Sequence, residues 1–426
     1  MQVTHFHVLN VIFLLLPTVF VFAPVQTSGF LAIAAALTFV AWLWAERRMP
    51  DINMALAATV GFFILYGILS AIWAIDPISS LRLALRLFLL SAAGLVLCGI
   101  VGTLTSEQRR FIARFAFSGA VFAVILMYVD VLGDGVIQLN ILHEDRADYG
   151  RTVSLLTLIV WALIAQPELH TRPVLATGAV VIVAGILFQT PGFAAKVAML
   201  IGLITLFAAW RFRSHFNKVV FALIAIVFLL GPTLARKFDQ PGYYRPLIAA
   251  ESEFSQSRWA VAFAHRLHIF GYTATRTLEH PIFGWGLDAS RKIPGGTESI
   301  KAEDLGFIRS DLSNNVVGWL GRGTAVHLPL HPHNTPLQIW LELGLLGALI
   351  SCGFVIYLVR AATHHRHPAG LALCLSALVI ANFSYGAWQS WWLSGLWLVS
   401  ALYLVGASPD KSKDARDTVT ESAVKC

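Results

Sequence analysis

The chain has 426 residues, of which 57% are hydrophobic and only 13% charged, with 28 Phe and 13 Trp. A mean hydropathy of +0.69 excludes a soluble domain and defines an integral membrane protein. The net charge of +7 resides mainly in short basic loops, so it argues neither for nucleic acid nor for an acidic protein partner.

Apolar runs of roughly 17 to 25 residues can each cross about 30 Å of hydrocarbon as a helix. Twelve recur, over 8–24, 29–45, 55–74, 82–102, 110–132, 150–166, 173–190, 193–210, 217–235, 335–359, 367–383 and 389–407. The expected fold class is therefore an all-α polytopic membrane protein with about twelve transmembrane helices. The first run has a weakly basic lead-in, is followed at once by a second, and precedes no small-residue cleavage signal before residue 29. It reads as a retained helix.

Orientation follows from the basic residues of the short loops. Even-numbered connections and the tail hold Arg47, Arg48, Arg109, Arg110, Arg172, Arg211, Arg213, Lys218, Arg360, Arg366, Lys411, Lys413, Arg416 and Lys425. Odd-numbered ones hold little beyond Arg146 and Arg151, with Arg82 and Lys196 at helix edges. Both termini are expected in the cytoplasm and the long 236–334 segment outside it. The chain thus divides into nine helices over 1–235, an outer loop over 236–334, three helices over 335–407 and a tail over 408–426. Cys98, Cys352 and Cys374 lie in apolar runs and Cys426 in the tail, which implies no disulfide framework and no thiolate metal site.

The outer loop is too long for a simple connection and should form a small ordered unit on the membrane. Trp259, Phe263, Leu267, Phe270 and Ala274 recur every three or four residues between Ser255 and Leu278, which predicts an amphipathic helix or pair of helices. Its other face would present Arg258, His265, Arg266 and Arg276. His280-Pro281-Ile282-Phe283-Gly284-Trp285-Gly286 follows as a tight turn, and 289–326 reads as an irregular lid.

Arg266 is either a solvated charge or an anion ligand, since a guanidinium forks onto phosphate oxygens; Arg258, Arg276 and Arg291 could do the same. Lys196, after Thr190-Pro191-Gly192, and Arg151, after Glu144, Asp145 and Asp148, either snorkel to the interface or complete a diphosphate site at helix starts. No Asp-rich motif accompanies them, so phosphate charge would be met by side chains.

His327, His331 and His333 are close in sequence, but Pro329 and Pro332 preclude a helical i, i+4 ligand pair, which leaves an interfacial histidine or a general base as the stronger readings. His333 is the preferred base, just ahead of Thr335-Pro336, where Thr can cap the next helix and Pro can occupy its first turn. In that helix Gln338 and Glu342 share a face that should point into the bundle, and Gly344 and Gly347 permit close approach of another helix. Tyr385, Trp388, Trp391, Trp392 and Trp397 read as an interfacial belt, with sugar stacking as the alternative.

These residues resemble the bacterial O-antigen ligase and polymerase superfamily. Trp73-Ala74-Ile75-Asp76-Pro77 is similar to its Trp-x-x-Asp-Pro segment, Arg266 to Gly286 to its Arg-led helix ending in a His-Pro-x-Phe-Gly turn, and His333-Asn334 with Gly344 and Gly347 to the ligase form of its last motif. The resemblance implies a GT-C-like glycosyltransferase architecture. It also implies transfer of O-antigen from undecaprenyl diphosphate to lipid A core oligosaccharide at the periplasmic face of the inner membrane, inverting and with no metal or other cofactor. Carried over, His333 is the base and Arg266 the diphosphate ligand, with Lys196 where the family has a second arginine and Arg151 as a third cation. Asn334, Gln338 and Glu342 would support them. An O-antigen polymerase or a protein-directed O-oligosaccharyltransferase of the same superfamily is the alternative. A transporter is disfavoured, because no repeat relates 1–210 to 217–407 and the polar candidates cluster at the outer surface.

Overall fold

The computed structural model describes residues 4–138, 146–166, 169, 171–240, 243, 245–250, 253, 258–364 and 368–407. The expected tail over 408–426, Glu144, Asp145 and Arg366 lie outside them, as do the side chains of Asp148 and Arg258. Helices α1 (His5–Phe22), α2 (Thr27–Glu46), α3 (Met54–Leu69), α4 (Pro77–Gly102), α5 (Ser106–Leu132), α6 (Arg146–Ile164), α7 (Pro173–Gln189) and α8 (Phe193–Ala235) precede the loop. Within it lie α9 (Arg258–Thr277) and α10 (Asn314–Leu320), and after it come α11 (Thr335–His364), α12 (Ala369–Phe383) and α13 (Ser390–Ala407).

The protein is an all-α polytopic membrane protein. Among the described residues, eight stretches are long and apolar enough to cross a membrane, and four shorter apolar helices of 10–17 residues fall on the remaining expected spans. A chain without water around it must satisfy its backbone internally, which a helix does within one segment. Among the described residues there is no strand, only isolated bridges at Ala249–Leu312 and Ser299–Val326.

Helix α8 holds two spans, Phe193–Phe212 and Phe216–Asp239. Its first residue, Phe193, meets Phe263 of α9 at 5.6 Å between ring centroids. Its far end meets α9 again, through Ala235 beside Phe270 and through Asp239, which accepts from Thr275 Oγ1 at 2.6 Å. Phe263 and Thr275 are only about 18 Å apart along a helix, whereas a straight helix of 43 residues is about 65 Å long. The element therefore doubles back between its spans, and both ends lie on the side that carries the loop.

The largest core joins α1, α2, α4, α5, α6, α7, α12 and α13 around Phe13, Trp42, Leu97, Trp161 and Leu398. A second core packs α3, the return half of α8 and α11 through Ile64, Phe228 and Leu343. On the side opposite the loop, Arg109 donates to the carbonyls of Gly102, Leu104 and Leu404, satisfying the open C-terminal ends of α4 and α13. Arg109, an orientation signal in the sequence, thus also seals two helices.

The 289–326 segment is more ordered than an irregular lid. Three short 3-10 turns and α10 enclose a core of Ile300, Leu305, Leu312, Val316 and Trp319 against Ala264 of α9. Four apolar residues of α9 and its neighbours, Ile269, Phe270, Ile293 and Leu328, then seat this unit on Leu337 and Leu341 of α11.

The deepest anchor is a break in α11. Gly344 has φ +63° and ψ −160°, a region open only to glycine, and interrupts the helical hydrogen bonding. The loop turn fills the gap: Trp285 N–H donates to Leu341 O and Gly286 N–H to Glu342 O, while Leu345 and Leu346 N–H donate to Pro281 and Ile282 carbonyls. Tyr66 Oη donates to the remaining carbonyl, Leu343 O, at 2.9 Å. Gly344 therefore accommodates an inserted turn rather than a neighbouring helix. The Trp73-to-Pro77 segment clasps the same turn, with Trp73 Nε1 donating to Phe283 O, Ile75 N–H to Trp285 O, and Ser80 Oγ to Leu287 O.

Candidate active site

The start of α11 is stitched to the connection between α12 and α13 by a stripe of polar side chains. Asn334 Nδ2 donates to Asn382 O at 3.2 Å, Gln338 Oε1 accepts from Ala387 N–H at 2.8 Å, and Glu342 Oε2 accepts from Trp388 Nε1 at 2.7 Å. Asn334, Gln338 and Glu342 recur every four residues, so one helix face carries all three. The cap of α11 is Asn334, whose Oδ1 accepts from Leu337 N–H at 2.9 Å, and not Thr335 as the sequence suggested.

Glu342 is fully buried and accepts four hydrogen bonds, from Asp288 N–H, Ser290 Oγ, Gln338 Nε2 and Trp388 Nε1. Those donors come from the outer loop, its own helix and the α12–α13 connection. The carboxylate is a hub that ties three segments below the site.

His333 stands immediately above this stripe at φ +53°, left-handed backbone that a side chain other than glycine rarely adopts. Its Nδ1 lies 2.7 Å from Ser384 O. A carbonyl oxygen only accepts, so Nδ1 carries the proton and the lone pair of the neutral ring is on Nε2. Burial pushes the His333 pKa below its usual range, opposed by the Ser384 bond and reinforced by the positive charge of Arg266 and the nearby His265. The ring is accordingly neutral and basic near pH 7.

Arg266, half-buried on α9, lies close enough for its charge to bear on His333, and its Nε is buried with no acceptor among the described residues. Burial also draws its pKa down, yet the guanidinium remains a cation. Two of the other candidate arginines of the loop, Arg276 and Arg291, are engaged. Arg276 donates to Glu279 at 2.6 Å and to Tyr272 Oη at 3.2 Å, and Arg291 pairs with Asp288 at 3.3 Å. A buried donor without an acceptor is costly, and the acceptor it lacks is what an anionic ligand supplies.

The starts of α6 and α8 border this ring. Tyr385, next to Ser384, donates its hydroxyl to Gly150 O at 2.8 Å, which places Arg151 on the adjoining residue. Gly192 backs onto Val153 and Gly150, and its carbonyl accepts from Lys196 N–H at 3.3 Å. Lys196 and Arg151 are thus brought to one neighbourhood through backbone contacts, while Arg266 acts on His333 directly through its field.

The three histidines of 327–333 separate. His331 and His333 rings meet at 4.3 Å, but His327 leaves them and pairs with His268, Nδ1 to Nε2 at 2.9 Å, with Asp304 3.6 Å from its other nitrogen and Tyr272 stacked on it. Burial, then His327 and His265, lower the His268 pKa to about 4. His268 went unnoticed in the sequence, although it follows His265 by one helical turn; the Ser384 carbonyl leaves no sequence signal at all. The aromatic cluster is also placed differently. Trp388, Trp391 and Trp392 are 9%, 7% and 2% exposed, so they form neither a lipid-facing belt nor an open stacking surface.

An apolar cavity of about 770 Å³ lies beneath, between α3, α4, α11, α12 and α13. It runs from Asn53 and Tyr357 at the end away from the loop to Thr335, Asn382 and Trp388 under the histidines.

These features define a class: a multi-pass helical membrane protein with a buried histidine at the start of α11, an arginine on α9 whose charge reaches it and whose Nε has no acceptor among the described residues, and an apolar cavity beside them. The family model for O-antigen ligase matches residues 178–352, which include Lys196, Arg266 and His333. Proteins of Rickettsia typhi and Rickettsia prowazekii, each named "Putative polysaccharide ligase", are 26% identical over 82% of this chain and 80% of their own length. A counterpart from Rickettsia conorii is 24% identical over 82% of the chain and 79% of its length. The family match and these relatives together support membership of the O-antigen ligase family.

Proposed function

We propose that the protein is an O-antigen ligase that transfers O-antigen polysaccharide from undecaprenyl diphosphate to the lipid A core oligosaccharide at the periplasmic face of the bacterial inner membrane. The observation that carries this reading is the Nε2 lone pair of His333 beside an Arg266 guanidinium whose Nε is buried without an acceptor. Nε2 takes the proton of the acceptor hydroxyl as its oxygen attacks the anomeric carbon. The bond from that carbon to the diphosphate oxygen breaks, and the leaving anion is met by Arg266, with Lys196 and Arg151 as further cations. One displacement inverts the anomeric centre.

The cavity supports a lipid-linked donor. Its volume falls in the range of ligand sites, about 300–1,000 Å³, and its upper end reaches Thr335 and Asn382, beside the base. A polyprenyl tail can lie there while its diphosphate meets the cations. Asn334, Gln338 and Glu342 keep the start of α11 in register with Ser384.

The test is transfer by the purified protein from undecaprenyl-diphosphate-linked O-antigen to lipid A core in EDTA. Wild type is expected to retain activity under chelation, and His333→Ala to lose nearly all of it while inserting normally. Full activity of His333→Ala sinks the base assignment. Glycan appearing on a longer lipid-linked chain or on a protein acceptor instead replaces the ligase with a polymerase or an O-oligosaccharyltransferase.

A further inference from the structure

We infer that His331 is a positioning residue for this reaction: its ring Nδ1 accepts the His333 backbone N–H and thereby fixes the left-handed conformation from which His333 presents Nε2. The inference rests on the reading of His333 as the base.

His333 N–H lies 3.2 Å from His331 Nδ1. A side-chain acceptor taking the N–H two residues on is the device by which Asp and Asn stabilise turns, here performed by an imidazole. Pro332 between them has no N–H to offer, so the His333 amide is the donor within reach. The His333 backbone needs such a constraint, since φ +53° is unfavourable for a side chain with a Cβ.

The His331 ring is itself held on all sides. It is 8% exposed, sits edge-on to His333 with centroids 4.3 Å apart, and is backed by Gly386, where a Cβ would come within 2.9 Å of it. With Nδ1 accepting, its Nε2 carries the ring proton, and the Gln389 carboxamide 3.2 Å away accepts that N–H by turning its oxygen inward in place of its contact with Trp391. Only a neutral ring accepts at Nδ1, and burial, followed by the proximity of His333 and Arg291, lowers the His331 pKa to about 3. His333 is therefore clamped twice, at its amide by His331 and at Nδ1 by Ser384 O. Without the amide clamp the backbone relaxes and Nε2 swings off line, though nothing that binds the donor has been removed.

The experiment compares full-length wild type, His331→Phe, His331→Ala, His331→Asn and His333→Ala, purified in detergent and assayed with undecaprenyl-diphosphate-linked O-antigen and lipid A core. Phe keeps a ring of similar size without the acceptor, whereas Asn restores the acceptor without the ring. His331→Phe is expected to lower kcat by about 100-fold, the scale of a small misplacement of a reacting group, with donor KM changed less than about two-fold. His331→Asn should recover kcat to within about ten-fold of wild type, because its Oδ1 can take the N–H two residues on. Should His331→Phe fail to yield folded protein, His331→Ala against His331→Asn makes the same comparison. Wild-type kcat in the Phe or Ala variant, a loss that falls on KM, or an Asn variant as impaired as Phe overturns the proposal. An active His333→Ala instead overturns the base reading on which it stands.

Discussion

At the scale of the residue, the site depends on keeping one imidazole neutral. Burial disfavours the imidazolium of His333 and the fields of Arg266 and His265 add to that, so its pKa lies below the ordinary value of 6.5. A base works in its deprotonated form; activity should persist as pH falls through 6.5 and be lost only below it. Arg266→Gln removes one of the positive neighbours, so the acid limb of the kcat/KM profile should move upward, along with a severe loss of donor use. An acid limb above pH 6.5 in the wild type, or an unmoved limb in Arg266→Gln, contradicts this account. Singling out Arg266 was partly within reach of the sequence. Arg276 has Glu279 three residues on, and Arg291 has Asp288 three residues back, spacings that mark both as paired. Lys196 and Arg151 lack such a marker, because their placement depends on how the starts of α6 and α8 abut.

At the scale of the element, the break at Gly344 explains why two glycine-bearing motifs far apart in sequence coexist. A Cβ on Gly344 would run into the Ile282 carbonyl, and one on Gly284 into the backbone of Glu342 and Leu343. Gly344→Ala should therefore destabilise the protein by about 1–3 kcal/mol from backbone strain alone, with the collision added, measurable as a lower midpoint of thermal unfolding in detergent. Gly353, where an added Cβ would meet nothing within 4 Å, is the control: Gly353→Ala should leave the midpoint unchanged or raised. The apolar helices were legible because hydropathy and length alone decide what can cross a bilayer, and among the described residues eight of the expected runs are long enough to do so while four are shorter. The break was not, because unbroken apolar sequence runs through Leu343, Leu345 and Leu346, and only the turn that fills the gap reveals it. The aromatic cluster misled for a related reason: Trp near a helix end has the same composition whether it faces lipid or packs inward on Glu342.

At the scale of the whole molecule, the folding back of α8 and the basic short loops agree on where the loop unit lies relative to the helix ends. If both termini are cytoplasmic, alkaline phosphatase inserted at Gly321-Arg322-Gly323 will be active and a fusion after Ala407 inactive; the reverse pattern would invert the proposed orientation. The same unit joins Arg266 to the membrane helices, and it does so by lending four backbone groups to a helix that is incomplete without them. That loan sets the limits of exchange between relatives. A recombinant that takes its outer segment from one parent and its tenth span from another, joined at residue 334, would bring together a turn and a break that have never been matched. Joined beyond Leu346, the two halves of the splice travel as one, so the unit of inheritance for this site extends half a helix into the membrane.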